Sequence, residues 1–236
     1  MTLRAILRLG AAALLLAVCL PAYAIARLFG RAPIWVTRFL GSVGWLLGLR
    51  VTIVGTPVAG RVLLVANHIS WLDILALGGA TRARFIAKSE IARWPLVGWL
   101  ARLGGVVFVS RDRRSTTRDQ ADAVAVALRE GRPVVLFAEG GTGDGHAVLP
   151  FRAPLFASAV EAGVPVQPVA IDYGRERGRF AWPDGVSFGR EAKRMLNRRE
   201  RVPVTLRFLS PLDAHALDRK ALASASQAAV AGALVS

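Results

Sequence analysis

The stretch VLLVANHISWLD, residues 62–73, indicates how this chain folds. Five apolar residues, typical of a buried strand, are followed at once by Asn67 and His68. Ser70 is placed to cap a helix that has Asp73 in its first turn. Residues five apart do not meet on a continuous helix, but His68 and Asp73 can meet where a strand, a loop and a helix join. A carboxylate that fixes the tautomer of a histidine prepares it for proton transfer, so the pair could be functional. The alternative is a structural polar pair at the end of a strand.

Short apolar strands continue to alternate with helical patterns along the rest of the chain, which predicts an α/β domain. We expect strands at 51–54, 62–66, 83–87, 106–109, 134–137, 166–171 and 204–208. Helices are expected at 72–78, 95–103, 115–130, 153–162 and in the Ala-rich tail after Asp213. The basic insert 174–201 is either a solvated surface or a contact for anionic headgroups or an acidic partner protein.

Residues 1–50 have a different character and suit a membrane. The first apolar run, Leu9 to Ala26, has no charge, and a second run from Ile34 to Leu49 is broken by Arg38 and by glycines. Three interpretations are open: a cleaved signal peptide, one membrane-spanning helix, or a helical pair embedded in one leaflet. Because arginines flank both ends of the first run, we favour the embedded pair, with both ends on the cytoplasmic side.

The overall composition agrees with a membrane surface. The chain has 31 Lys and Arg against 16 Asp and Glu, and 53% of its residues are hydrophobic. Anionic lipid attracts such a basic, apolar chain. We expect no nucleic-acid partner, because the sequence contains no zinc-finger spacing, basic zipper or aromatic RNA-binding pattern. Cys19 is the single cysteine, so the 236 residues contain no internal disulfide.

Three further stretches place polar residues at strand ends. In GGVVFVSRDRR, residues 104–114, a strand leads to Arg111, whose guanidinium suits a phosphate group but is also typical of a solvated turn. In PVVLFAEGGTGDG, residues 133–145, a strand leads to Glu139 and a glycine-rich loop. That carboxylate is either functional or part of a loop ion pair. The fourth stretch, GVPVQPVAI at 163–171, is by itself structural.

Several kinds of site are excluded by spacing. A dinucleotide-binding loop needs a glycine where His146 stands, and no Gly-Lys-Ser/Thr follows for a phosphate-binding loop. The sequence also contains no Gly-x-Ser-x-Gly motif to supply a serine nucleophile. If His68 is a base, it therefore activates a hydroxyl group of the substrate.

Taken in order, the four stretches resemble the motifs of the glycerolipid acyltransferase family, which includes the 1-acylglycerol-3-phosphate acyltransferases. The first motif, Asn-His-x-Ser-x-x-Asp, is matched at every fixed position by residues 67–73. The second and fourth motifs, Gly-x-x-Phe-x-x-Arg and Val-Pro-x-x-Pro-Val, are matched by Gly105, Phe108 and Arg111 and by Val164, Pro165, Pro168 and Val169. The third, Phe-Pro-Glu-Gly-Thr, keeps Phe137, Glu139 and Gly140 but has Ala138 and Gly141 in place of proline and threonine.

The resemblance implies a glycerol-3-phosphate acyltransferase-like αβ domain with a mixed central sheet over residues 51–236, preceded by a membrane-embedded helical motif at 1–50. It implies that His68 takes the proton of an acceptor hydroxyl that attacks the thioester of acyl-CoA or acyl carrier protein. Asp73 would orient His68. Arg111 would hold an acceptor phosphate, and Glu139 and Gly140 would line the acceptor site.

Further expectations follow from the same resemblance. Lys88, Asn67 and Ser70 are candidates for oxyanion stabilisation or for support of the site. We expect no metal and no redox cofactor. The expected partners are membrane lipids and the acyl donor, and the expected location is the inner membrane, with the catalytic domain facing the cytoplasm.

The identity of the acceptor has two interpretations. Lysophosphatidate, giving phosphatidic acid, is the acceptor that we favour from the motifs. Lyso-ornithine lipid is the alternative, because Gly141 lacks the hydroxyl that the third motif offers and because related loops resemble Thr142 to Gly145. A non-enzymatic alternative is a peripheral protein that binds anionic lipid.

Overall fold

The computed structural model describes residues 2–110, 117–182 and 185–235. The strands are β1 Leu49–Val54, β2 Leu63–Ala66, β3 Arg84–Lys88, β4 Val107–Val109, β5 Val134–Phe137, β6 Val166–Asp172 and β7 Val202–Phe208. The helices are α1 Leu3–Leu28, α2 Ala32–Leu46, α3 Leu72–Ala80, α4 Val97–Gly104, α5 Thr117–Arg129, α6 Ala157–Ala162, α7 Phe188–Asn197 and α8 Arg219–Val235. Short 3₁₀ turns lie at Ser89–Arg93, Ala153–Phe156 and Gly174–Arg179.

One sheet contains these seven strands in the order β1-β7-β6-β2-β5-β3-β4. All neighbouring strands are parallel except β6 and β7, which are antiparallel. The predicted mixed central sheet is therefore confirmed. Each expected strand is present, with its ends shifted by no more than two residues.

The shift of two residues at the start of β7 has a clear cause. This strand begins at Val202 and includes Pro203, whereas the sequence suggested a start after the proline. Pro203 lies opposite Arg50 of β1, and β6 pairs with β7 only from Thr205 onward. The missing N–H of Pro203 therefore interrupts no bond to β6, and the strand tolerates the proline.

Both faces of the sheet are covered by apolar side chains. Leu64 and Ala66 of β2 belong to one buried cluster, which includes residues of α3 and β7. Leu63 and Val65 belong to a second cluster on the other face, which includes residues of α5 and α8. A strand buried on both faces needs no polar residues, which explains the unbroken apolar sequence of β2.

The expected helices are present, with three refinements. α5 begins at Thr117, and its expected capping residues 115 and 116 lie outside the described residues. The expected helix at 153–162 is a 3₁₀ turn followed by α6, the tighter winding being common at helix ends. The basic insert contains a 3₁₀ turn and the helix α7, and the tail helix α8 begins after Asp218, whose side chain accepts from the N–H groups of 220 and 221.

The first two helices lie against the αβ domain. α2 crosses α3 at backbone distance, since a Cβ on Gly79 would lie 2.6 Å from the α-carbon of Gly41. α1 continues through Pro21. Near its start, Arg8 Nη1 donates to three carbonyl oxygens at the end of α7, at 2.8 to 3.2 Å. Near its end, the Tyr23 hydroxyl donates to the carbonyl of Leu103 in α4 at 2.9 Å.

Much of α1 faces outward with apolar side chains. Its exposed large apolar residues are Leu3, Ile6, Leu7, Leu9, Leu14, Val18, Ile25 and Leu28. Judged only by its length and composition, α1 could cross a membrane, and no other helix in the described part of the chain meets that criterion.

Candidate active site

The site lies where three parallel strands end at one edge of the sheet. β2 is the central strand of the three, with β6 on one side and β5 on the other. It ends immediately before Asn67 and His68, β5 ends two residues before Glu139, and β6 ends immediately before Tyr173. Loops at the carboxyl edge of parallel strands commonly carry functional residues, because the sheet fixes their positions.

His68 and Asp73 meet at the junction between β2 and α3. The Nδ1 atom of His68 lies 2.8 Å from Oδ2 of Asp73. Asp73 is fully buried, whereas the side chain of His68 keeps 15% of its surface exposed. The expected contact at the strand–loop–helix junction is therefore present. A carboxylate at Nδ1 accepts the Nδ1 proton, which leaves Nε2 as the basic nitrogen of the ring.

Asp73 is held by three further donors. Its Oδ2 atom accepts from the backbone N–H groups of Ile69 at 2.8 Å and Ser70 at 2.9 Å. Its Oδ1 atom accepts from the hydroxyl of Tyr173 at 2.6 Å. Burial and the neighbouring carboxylate raise the pKa of Tyr173 well above its usual value, so the phenol keeps its proton and acts as a donor. Asp73 is therefore fixed in one orientation, with His68 as its fourth donor.

The ring of His68 is fixed on its face as well as at its edge. It stacks on Phe137, the last residue of β5, with ring centroids 3.9 Å apart and an angle of 12° between the planes. Among the described residues, no hydrogen bond engages its Nε2 atom. The histidine thus has one nitrogen bound to a buried carboxylate and the other available to a substrate.

Glu139 holds the backbone on both sides of a narrow cleft. Its Oε2 atom accepts from the N–H of His68 and its Oε1 atom from the N–H of Leu149, each at 3.2 Å. Only 5% of Glu139 is exposed. Burial raises the pKa of this carboxyl to about 7, since it outweighs the two backbone donors, and the charge of Asp73 adds to the rise.

Asn67 and Ser70 support the site through the backbone. The amide of Asn67 forms a two-way pair with Ile171, donating to its carbonyl at 3.0 Å and accepting from its N–H at 2.8 Å. This pair ties the end of β2 to β6. The hydroxyl oxygen of Ser70 accepts from the N–H of Leu72 at 3.4 Å, which is a weaker cap than the sequence suggested. Asp73 instead reaches back to the N–H of Ser70.

The glycine-rich loop is held beside His68. Gly143 donates its N–H to the carbonyl of His68 at 2.8 Å, and the hydroxyl of Thr142 donates to the carbonyl of Trp182 at 2.6 Å. Gly140 has a φ of +76°, which favours glycine at this position. A Cβ built on Gly140 would lie 2.9 Å from Nε of Arg152, so the guanidinium group covers this residue.

The predicted roles of Arg111 and Lys88 are not tested by the structure. Arg111, the predicted phosphate ligand, lies outside the described residues. Lys88 is exposed at the end of β3, on the same edge of the sheet, but it does not line the cleft that contains His68 and Glu139. Its role in oxyanion stabilisation stays a prediction. Residues 2–110, 117–182 and 185–235 contain no group of three His, Cys, Asp or Glu side chains arranged to bind a metal ion.

Three residues of the site were not predicted. They are Tyr173, which binds Asp73, Arg152, which covers Gly140, and Arg177, which lines the cleft together with His68 and Glu139. Tyr173 had one available signal, because it is a polar aromatic residue directly after the fourth motif strand. Using that signal requires knowing that β6 is the neighbour of β2.

Known proteins share this fold and these motifs. A family model described as Acyltransferase matches residues 50–172. A lyso-ornithine lipid O-acyltransferase of Brucella abortus is 43% identical over 199 residues, covering 77% of this chain and 74% of the relative. A 1-acyl-sn-glycerol-3-phosphate acyltransferase of Neisseria meningitidis is 40% identical over 133 residues, covering 56% of this chain and 52% of the relative.

A solved structure gives the same result for the fold. The 1-acyl-sn-glycerophosphate acyltransferase PlsC from Thermotoga maritima aligns with a TM-score of 0.68 and 23% identity, covering 98% of this chain and 96% of the other. The motif resemblance and the expected fold are therefore confirmed. With a family match over half of its length and a relative that shares 43% of aligned residues, this chain belongs to the acyltransferase family.

Proposed function

We propose that this acyltransferase moves a fatty acyl group from acyl-CoA or acyl carrier protein to the free hydroxyl of a lysolipid. The observation that carries the proposal is the contact of 2.8 Å between His68 Nδ1 and the buried Asp73, which leaves Nε2 available as a base. Histidine is the side chain that most often serves as a general base toward an alcohol.

The reaction needs no covalent intermediate on the protein. Nε2 of His68 takes the proton as the acceptor oxygen forms a bond to the thioester carbonyl carbon. Asp73 stabilises the resulting imidazolium. When the tetrahedral intermediate collapses, the carbon–sulfur bond breaks, and the departing sulfur takes the proton from His68. The products are an ester and a thiol, no oxidation state changes, and the proposal therefore includes neither a metal nor a redox cofactor.

The acceptor that the comparisons favour is lyso-ornithine lipid. Relatives named for this acceptor match over most of their length, as the Rhodobacter capsulatus protein does with 36% identity over 78% of this chain and 70% of its own. Gly141, which lacks the threonine hydroxyl of the third motif, also supports this choice. Lysophosphatidate is the second candidate, supported by the motifs and by the Neisseria relative.

The same proposal places α1 and α2 within one leaflet of the inner membrane, with the catalytic domain on the cytoplasmic side. Arg8 and Tyr23 bind the same domain, and the helix between them is about 22 Å long, too short to cross a hydrocarbon core of about 30 Å. Both ends of α1 should therefore react with an impermeant thiol reagent from the cytoplasmic side when single cysteines replace Thr2 and Phe29. Reaction of one end from the opposite side would disprove this placement.

The proposed activity can be tested by thiol release from acyl-CoA and from acyl carrier protein. Detergent-purified protein receives lyso-ornithine lipid or lysophosphatidate, and His68→Ala is compared with His215→Ala, a change at an exposed histidine outside the cleft. We expect the first variant to lose at least about 99% of the rate and the second to keep it. Equal release by wild type and His68→Ala would overturn the mechanism.

A further inference from the structure

Two arginines outside the four motifs concern the catalytic cleft: Arg177 lines it, and Arg152 lies against Gly140, the residue after Glu139. Arg152 precedes the 3₁₀ turn at Ala153–Phe156, and its backbone N–H donates to the carbonyl of Ala138 at 2.8 Å. Its guanidinium group lies against Gly140, since a Cβ there would be 2.9 Å from Nε and 3.2 Å from Cζ. This positive charge therefore stands directly beside the residue that follows Glu139.

Arg177 reaches the cleft from the basic insert. It lies in the 3₁₀ turn Gly174–Arg179 and lines the cleft together with His68 and Glu139. Its backbone packs against the loop, because a Cβ on Gly145 would lie 3.3 Å from the carbonyl carbon of Arg177. Two separate segments thus place one arginine in the cleft and one beside Gly140, next to the cleft residue Glu139.

Neither guanidinium group is neutralised by a side chain that the structure describes. Among the described residues, the side chains of Arg152 and Arg177 form no hydrogen bond and no ion pair. The neighbouring arginine of the same turn, Arg179, is paired with Glu176 at 2.8 Å. Both guanidinium groups are therefore available to an anion, and the guanidinium fork suits a phosphate or a carboxylate.

We propose that Arg152 and Arg177 form a subsite that binds the anionic group of the acceptor lysolipid. The inference rests on the proposed function for the class of lipid. The chemistry common to both candidate acceptors is an anionic oxygen group, the phosphate of lysophosphatidate or the carboxylate of lyso-ornithine lipid. Bound there, the anionic group would anchor the acceptor while its hydroxyl approaches His68.

Glu139 repels a bound anion less than a fully ionised carboxylate would. Burial raises its pKa to about 7, so a large fraction of the group is uncharged at neutral pH. Repulsion between this side chain and a bound anion is reduced accordingly. The glycine at 140 also contributes, because any side chain there would displace Arg152.

A binding titration without acyl donor tests the subsite apart from catalysis. Lysophosphatidate, lyso-ornithine lipid and uncharged 1-acylglycerol are titrated into the protein in nonionic detergent micelles. We expect Arg152→Ala and Arg177→Ala to weaken the binding of the anionic lipids about tenfold or more, and Arg152→Lys to restore part of it. Binding of 1-acylglycerol should not change. Arg175→Ala is the matched control, because Arg175 is exposed in the same turn and does not line the cleft.

The outcomes separate the subsite from the proposed activity. Wild-type dissociation constants in both alanine variants would overturn the subsite, even in an enzyme that transfers acyl groups normally. Equal weakening for 1-acylglycerol would also overturn it, since it would indicate a general loss of structure. Selective weakening in a protein that consumes no thioester would support the subsite while the proposed activity fails. A loss confined to one anionic lipid would identify which headgroup the subsite binds.

Discussion

The two buried carboxylates of the site are held in different ways. Asp73, in the first turn of α3, receives four donors at 2.6 to 2.9 Å, two from side chains and two from the backbone. Glu139, after β5, receives two backbone donors at 3.2 Å and no ion pair within the described part of the chain. Both carboxylates accept hydrogen bonds from the loop that contains His68. Burial raises the pKa of Glu139 to about 7.

The difference separates two tasks. A carboxylate surrounded by four short hydrogen bonds has one orientation, which suits the positioning of His68. A carboxylate with two longer bonds retains lone pairs toward the cleft, and its charge changes near neutral pH. Asp73 therefore holds His68 in one position, whereas Glu139 links the loop of His68 to the segment around Leu149.

The largest effect should come from Asp73→Asn. An amide in this position presents N–H groups to donors, and it carries no charge to stabilise the imidazolium. We expect kcat to fall by about 10³, with little change in the KM for the acceptor. Steady-state thiol release at several acceptor concentrations measures this. A variant within about twofold of wild type would show that Asp73 is not required for the function of His68.

A smaller effect should appear in the stability of Glu139→Gln. Because folding raises the pKa of Glu139 from 4.5 to about 7, the folded state favours the protonated acid. The unfolding free energy of wild type should therefore fall as the pH rises from 4.5 to above 7, relative to that of the glutamine variant, in which residue 139 does not titrate. Its total change should be about 3 kcal/mol.

Denaturant unfolding in detergent at pH 5 and pH 8 measures this difference. Glu90→Gln is the matched control, because Glu90 is exposed. A constant difference between wild type and Glu139→Gln across this pH range would contradict the raised pKa.

The smallest effect on activity should come from Tyr173→Phe. The change removes the hydroxyl that donates to Oδ1 of Asp73 at 2.6 Å. With one donor fewer, Asp73 is held less firmly, and the ring of His68 that it orients is positioned less well. We expect a loss of activity of about tenfold or less at neutral pH.

The control for this variant is Tyr23→Phe, which removes the hydroxyl bond to Leu103 far from His68. It should leave kcat and KM unchanged. If Tyr173→Phe lowered stability but left kcat and KM unchanged, Tyr173 would be a structural residue only.

Local patterns explain which elements could be predicted. Each strand is a short apolar run bounded by polar residues or glycine, and burial on both faces requires such a run. α7 was not predicted, because the basic charge of the insert is equally typical of a solvated loop. The structure has an amphipathic helix there, whose buried residues are Met195 and Glu191, the latter paired with Arg194 at 2.7 Å.

The sequence by itself determined the strands, the junction that joins His68 to Asp73, and the family. These depend on residues close together in the chain, whose spacing has direct structural consequences. Only the tertiary structure decided that Tyr173 binds Asp73, a hundred residues away, and that Arg152 covers Gly140. The physical reason is the strand order β6-β2-β5, which brings the ends of distant strands to one edge and which no local pattern specifies.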